Sequence, residues 1–279
     1  MRPKGHAVLG GTFDHFHVGH AALLDAAFRA GRTVSVGVTT DRYLALHPKP
    51  EAETLQPFVA RVRAVRRYLA ARHPSARFRT VPLEDRFGRS VGEGVDRLVV
   101  SAETVAGARA VNAERRRLGR RPLPVLVVPL VLADDLEPVS ARRIRAGTID
   151  RNGRRRSPIR VGLEVEDARD SAAARRAVRR VFRSSRVDSG RPARSTGRRS
   201  AASRATRLAR AAAEGRDLGL GVVRDPGGGW VLAERSPTVA LAPRRVASGG
   251  ADRLARALEE LLRPSIERNA FPLRRSSRG

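Results

Sequence analysis

The segment Gly10-Gly11-Thr12-Phe13-Asp14-His15-Phe16-His17-Val18-Gly19-His20 constrains the fold more than any other part of this chain. It follows a short apolar run, Ala7-Val8-Leu9, and precedes an apolar-periodic run over residues 21–30. A strand, a glycine-rich turn and a helix start, in that order, bring backbone N–H groups and the positive end of a helix dipole to one point. Such a point binds an anion. His17 and His20 add donors that can follow a phosphate into its transition state, which suits a nucleoside triphosphate better than a metal. A His-x-x-His pair could begin a zinc site, but the chain has no cysteine and no third ligand lies nearby in sequence.

The rest of residues 1–151 alternates between strand and helix patterns. Residues 34–38, 77–83 and 97–100 read as strands, and 125–128 as a buried strand. Residues 57–71 form an amphipathic helix with Val59, Val62, Val65, Tyr68 and Leu69 at apolar positions, and 104–118 form another helix. This alternation implies an α/β fold: a Rossmann-like parallel sheet with helices on both faces and its ligand beyond the carboxyl ends of the strands. Residues 152–158 combine a turn pair, an arginine run and a proline, and read as a basic linker. A second, smaller α/β domain spans residues 159–265. Its expected elements are strand 159–165, helices 172–182 and 198–213, strands 218–223 and 230–233, and a last helix at 251–262. Residues 184–203, rich in Arg, Ser and Gly, read as a loop, and 266–279 as a disordered tail.

Composition narrows the class. The chain has 279 residues, enough for two ordinary domains, and a formal charge of +28. Lys4 and Lys49 are its only lysines, so arginine carries the charge. The arginine excess is read first as compositional bias and solvated faces, and second as capture of polyphosphate or RNA. Sparse aromatic residues argue against stacking-based RNA recognition. The absence of cysteine excludes disulfides and thiolate zinc sites. No long apolar run or signal peptide is present, so a cytoplasmic protein without a membrane segment is expected.

The glycine-histidine segment resembles the nucleotidyltransferase superfamily, and four further segments narrow the likeness to archaeal-type phosphopantetheine adenylyltransferases. They are Gly37-Val38-Thr39-Thr40-Asp41, Leu83-Glu84-Asp85-Arg86-Phe87-Gly88, Val100-Ser101-Ala102-Glu103-Thr104 with Gly107, Ala108 and Asn112, and the run from Val128 to Asp135 leading into Pro138-Val139-Ser140-Ala141-Arg142-Arg143-Ile144-Arg145. The resemblance implies that the phosphate of 4′-phosphopantetheine attacks the α-phosphorus of ATP, giving dephospho-coenzyme A and pyrophosphate. It names His20, His17 and Arg143 as catalytic. It places Gly11, Thr12, Phe13, His17, Gly19, His20, Ser101, Glu103, Thr104, Ser140 and Arg143 around ATP, and Thr12, Asp14, Thr39 and Lys49 around the acceptor. It implies a Mg²⁺ ion held through the ATP phosphates, with no metal site of the protein's own. Lys49 is alternatively an incidental lysine between Pro48 and Pro50. His6, His47 and His73 are read as surface or packing residues. Oligomeric state stays open.

The chain departs from the family pattern at His15, Arg89, Ala141 and Arg142, where proline, a Gly-Pro pair, Ser and Thr are usual. A lost hydroxyl donor at Ala141 costs about ten- to a thousand-fold in rate where it serves the transition state. Residues 159–263 resemble the inosine/xanthosine triphosphatase family through Ser189-Gly190 with Pro192, Asp217-Leu218-Gly219-Leu220-Gly221, and Arg235-Ser236-Pro237-Thr238 with Pro243. The family's Asn-Pro-x-Lys phosphate turn is replaced by Asp170-Ser171-Ala172-Ala173-Ala174, and its acidic residue falls at Val223. The second domain is therefore read as a degenerate copy without hydrolysis. Two alternatives stand beside the adenylyltransferase reading: a nucleotidyltransferase for another phosphorylated acceptor, and a non-catalytic RNA-binding or scaffold protein built on the arginine-rich second half.

Overall fold

The computed structural model describes residues 5–47, 55–182, 186–189, 200–237, 239–246 and 249–267. The chain divides into two compact units, one of Met1–Val131 with Val139–Gly147, the other of Leu132–Pro138 with Thr148–Gly279.

The first unit runs β1 (His6–Gly11), α1 (Val18–Ala30), β2 (Thr33–Thr39), α2 (Asp41–Leu46), α3 (Phe58–Arg72), β3 (Arg77–Leu83), β4 (Arg97–Ser101), α4 (Val105–Arg117), β5 (Val125–Val128) and α5 (Ala141–Arg145). Its strands form one five-stranded sheet in the order β3-β2-β1-β4-β5. Every pairing is parallel, with Val8 opposite Ser35 on one side and Leu98 on the other. The chain winds outward from β1 in one direction and from β4 in the other. β1 and β4 therefore flank the switch point, and the crevice beyond their carboxyl ends is where such sheets hold ligands. Val8, Leu98 and Val100 pack against Ala108 and Val111 of α4. Strand alternation sends Ala7 and Leu9 to the opposite face.

Two expectations for this unit fail on burial. The strand at 125–128 exists, but Val125 and Val127 are 38% and 43% exposed. It is the sheet's edge, which a run of valines does not distinguish from the centre. In α3, Val59 is 64% exposed, while Arg61 is fully buried with Val65 and Leu69. The buried stripe is 61-65-69, one helical step per member, and it carries a guanidinium.

The second unit runs β6 (Arg160–Val165), α6 (Ala168–Val181), β7 (Arg186–Ser189), α7 (Ala201–Ala213), β8 (Leu218–Arg224), β9 (Trp230–Arg235), β10 (Arg244–Val246) and α8 (Ala251–Glu267). The sheet order is β10-β9-β8-β6-β7, with β6 parallel to β7 and β8, and β8, β9 and β10 antiparallel. Trp230 and Leu232 join α6 and α8 in one core, while Val223, Val231 and Ala233 pack with Ala205, Leu208 and Ala209 of α7. α7 lies so close to β8 that a Cβ on Gly221 would fall 2.2 Å from the Ala205 carbonyl oxygen, which requires the glycine.

Several boundaries differ from the sequence reading. Residues 152–158 are built into the second unit rather than forming a free linker: Asp150 accepts from the N–H groups of Asn152 and Arg154, and Arg155 reaches Asp135 at 3.1 Å. Residues 184–203 include β7 and the start of α7, which an Arg/Ser/Gly composition hides. Residues 266 and 267 continue α8 instead of starting a tail. α6 starts four residues before the expected 172, where Asp167 caps it through the Arg169 N–H. Residues 190–199 and 268–279 lie outside the described residues.

Candidate active site

β1 ends at Gly11, and the chain turns through Thr12–Phe16 before α1 begins. Phe13 and His15 hold φ of 55° and 42°, left-handed values that cost a non-glycine residue about 1 kcal/mol or more. Strain of this kind persists only where surrounding contacts fix the turn. Three partners do so. Asp14, 2% exposed, accepts from the Gln56 N–H at 2.9 Å and from Arg145 Nη1 at 2.6 Å. The His15 N–H donates to Gln56 Oε1 at 2.9 Å. Arg61 Nη1 donates to the Thr12 carbonyl at 2.8 Å. Burial pushes the Asp14 carboxyl up, but Gln56, His15 and Arg145 outweigh it and hold the group below its ordinary range.

His17 caps α1. Its Nδ1 accepts from the Gly19 N–H at 3.1 Å, and the His17 N–H donates to His20 Nδ1 at 3.4 Å. Both rings therefore spend Nδ1 as an acceptor, which places the proton of each neutral imidazole on Nε2 as a donor. The rings stack with centroids 3.8 Å apart, and His20 leans on Phe13 at 5.1 Å and Phe16 at 5.6 Å. A Cβ on Gly19 would lie 3.0 Å from His17 Cε1, so the glycine leaves room for the stacked pair. The result is two oriented N–H donors at a helix N-terminus, on the carboxyl edge of the sheet.

The other predicted residues distribute unevenly. Ser101, Glu103 and Thr104 lie at the carboxyl end of β4, beside the switch point, where Thr104 Oγ1 accepts from the Ser101 N–H at 3.1 Å. Ser140 caps α5 by accepting from the Arg143 N–H at 3.4 Å. The Arg145–Asp14 bond docks that helix against the β1–α1 turn. Asp14 and Thr39, expected around the acceptor, are buried and engaged by neighbouring groups: the Thr39 carbonyl accepts from Arg61 at 2.7 Å. Lys49 lies outside the described residues. His6, His47 and His73 bond to Ser35, the Tyr43 carbonyl and Asp25 respectively, away from the turn. Sequence reasoning missed Arg61, Gln56 and Arg145. A cation on the buried phase of α3 was the legible signal for the first.

Beside the turn a cavity of about 220 Å³ opens between the sheet and α4. Val8, Val81, Leu83, Phe87, Val100 and Val111 make it largely apolar, Gly10 and Gly37 leave it floored by backbone, and Arg86 and Arg89 stand among its lining residues. Asp85 shapes this wall by accepting from the Phe87 and Gly88 N–H groups at 2.7 and 2.5 Å. Among the described residues no group of three or more His, Asp or Glu side chains could cage a metal ion.

Residues 8–147 match the cytidylyltransferase-like family. The chain is 42% identical over 146 residues to the phosphopantetheine adenylyltransferase of Methanothermobacter thermautotrophicus, covering 52% of this chain and 85% of the relative. It is 43% identical over 144 residues to that of Methanopyrus kandleri, covering 51% and 89%. A longer match, 35% over 181 residues, links it to the bifunctional phosphopantetheine adenylyltransferase/NTP phosphatase of Thermoplasma acidophilum, covering 64% of this chain and 54% of the relative.

Proposed function

The chain belongs to the cytidylyltransferase-like family, in its phosphopantetheine adenylyltransferase branch, and from that premise we propose that its first unit transfers the adenylyl group of ATP to 4′-phosphopantetheine. The observation that carries this reading is the His17–His20 pair with both Nδ1 atoms occupied. A phosphate oxygen of the acceptor attacks the α-phosphorus of ATP. The bond from that phosphorus to the bridging oxygen breaks, and pyrophosphate leaves. The nucleophile is already an anion, so no protein base is required. What the protein supplies is position and positive charge as the α-phosphate becomes pentavalent.

The placement of these residues supports the following roles. Nε2 of His20 donates to the α-phosphate and Nε2 of His17 to the neighbouring phosphates, with the turn from Gly11 to Phe13 and Gly19 beneath them. Ser140 and Arg143 approach the β- and γ-phosphates from α5, Arg143 in the bidentate manner of a guanidinium. Ser101, Glu103 and Thr104 receive the nucleoside at the end of β4. The apolar cavity beside the turn suits the pantetheine arm, with Arg86 and Arg89 near its phosphate. A Mg²⁺ ion bound through the triphosphate would supply charge neutralisation. Asp14 and Thr39, buried and hydrogen-bonded beside the turn, would shape the acceptor side of this site.

The reading makes the protein an enzyme of coenzyme A synthesis working in the cytoplasm. Among the described residues no helix is long and apolar enough to cross a membrane. The test is pyrophosphate release by the purified chain from ATP and Mg²⁺, with and without 4′-phosphopantetheine. Acceptor-dependent release with dephospho-coenzyme A as product is expected. Release with another phosphorylated acceptor, and none with this one, would move the chain to a different nucleotidyltransferase.

A further inference from the structure

Arg61 is 0% exposed, yet Asp41, its carboxylate partner, has a side chain 60% exposed. Its guanidinium donates in four directions: to the Gln56 carbonyl at 2.8 Å, the Thr12 carbonyl at 2.8 Å, the Thr39 carbonyl at 2.7 Å, and Asp41 Oδ1 at 2.6 Å. Stability alone is a poor reason to keep it. Taking a guanidinium out of water costs several kcal/mol, and apolar residues often replace such groups at no loss. The 61-65-69 stripe would accept Leu or Met.

We propose that Arg61 is a positioning residue for the adenylyl transfer, a proposal that rests on the function given above. The four acceptors belong to four segments around the site: the turn after β1, the end of β2, the start of α2 and the approach to α3. Gln56, held by Arg61, in turn holds Asp14 and His15. Arg61 is thus the polar tie between α3 and the strained turn, beside the apolar contact of Phe16 with Tyr68. The bond to the Thr12 carbonyl also fixes a peptide plane. In a trans peptide the next N–H is antiparallel to the carbonyl, so Arg61 aims the Phe13 N–H away from α3. Arg61 sets the direction of that donor without touching ATP. Its removal lets the turn relax from its left-handed values, and a displacement of about 1 Å at the reacting groups costs about 100-fold in rate.

The experiment compares the full-length wild type with Arg61→Lys and Asp41→Asn, measuring kcat, KM for ATP, ATP binding stoichiometry and melting. Lysine keeps the charge but cannot donate in four directions. Arg61→Lys is expected to lose about 100-fold in kcat, with KM for ATP within about threefold and one ATP bound per chain. Asp41→Asn, altered at a solvent-facing group, is expected to lose about tenfold in kcat at wild-type melting temperature. A merely structural role predicts instead that kcat and binding stoichiometry fall together with the folded fraction, and that result overturns the proposal. So does wild-type kcat in folded Arg61→Lys. If Arg61→Lys does not fold, Asp41→Asn decides: a folded variant with wild-type kcat overturns the proposal, and the kcat loss supports it. A wild type without acceptor-dependent turnover overturns the function first, and this proposal with it.

Discussion

Arg145 Nη1 donates to Asp14 Oδ2 at 2.6 Å across 131 residues of sequence, joining the last helix of the first unit to the turn after its first strand. Both side chains are nearly withdrawn from solvent, at 10% and 3% exposure. Asp14→Asn should lose about 1–3 kcal/mol of stability, because one strong acceptor weakens while its donors stay buried. The sign of its pH dependence follows from the lowered carboxyl. A folded-state value below the unfolded one gives stability that is present above about pH 4 and lost as pH falls further. The wild-type advantage over Asp14→Asn should therefore shrink below about pH 4. Thermal melts of both proteins between pH 3 and 7 measure it, and a constant gap would show that Asp14 does not titrate as described.

His20 and His17 should separate in their effects. His20→Ala removes a donor and the long 3.4 Å acceptor of the His17 N–H but keeps the His17–Gly19 cap, so kcat should fall about 100- to 1000-fold with only a small drop in melting temperature. His17→Ala also removes the acceptor for the Gly19 N–H, and should cost about 1 kcal/mol of stability besides activity. Steady-state kinetics and melts on both variants check this. Near-wild-type turnover by folded His20→Ala would remove the pair from the chemistry.

The outline of both sheets and the turn at Gly10–His20 were legible because each is written in local pattern: apolar runs of strand length, glycines at the turn and an amphipathic period after it. What stayed hidden depends on partners distant in sequence. Nothing near Asp14 announces Arg145, so the sequence does not show that this aspartate is buried and paired. Arg61 was passed over because a cation on a helix is expected to face water. Val125 to Val128 looked central because valine runs carry no mark of edge or core. The short β7 escaped because its composition is polar. Residues 132–138 and 152–158 joined the second unit through Asp150, Asp134 and Arg155, contacts that composition does not encode.

The carboxyl edge of the second unit predicts an absence of hydrolysis. Four acidic residues gather there, and each meets an arginine: Glu166 with Arg204 at 2.9 Å, Asp170 with Arg224 at 2.8 Å, Asp225 with Arg245 at 3.1 Å, and Asp167 with Arg169 at 3.0 Å. Asp170 also accepts from Trp230 Nε1 at 2.8 Å. The stretch that replaces the Asn-Pro-x-Lys turn lies inside α6, with Ala173 and Ala174 buried. Carboxylates neutralised by guanidinium groups are poor ligands for Mg²⁺. The full chain should release no phosphate or pyrophosphate from inosine or xanthosine triphosphate with Mg²⁺ above background, under conditions where adenylyl transfer proceeds. Catalytic turnover of either nucleotide would sink the degenerate reading.

Asp134 predicts a pH effect of opposite sign to that of Asp14. Burial pushes its carboxyl up, the Arg155 N–H and Arg154 pull it down, and Asp135 and Asp150 push it up again, to about 6. Its Oδ2 accepts from the Arg155 N–H at 3.2 Å, and Oδ1 is buried with no hydrogen-bond partner among the described residues. A carboxyl raised in the folded state binds its proton more tightly there than in the unfolded chain. The stability it contributes is complete below about pH 4 and is lost as pH rises through about 6. Asp134→Asn cannot ionise and escapes that loss. Relative to wild type, the variant should therefore gain by several degrees in melting temperature between pH 4.5 and pH 8. Differential scanning calorimetry at the two pH values reads the change. An offset that is the same at both would mean that Asp134 ionises as freely in the folded unit as in water, and that its burial beside Asp135 and Asp150 carries no electrostatic cost.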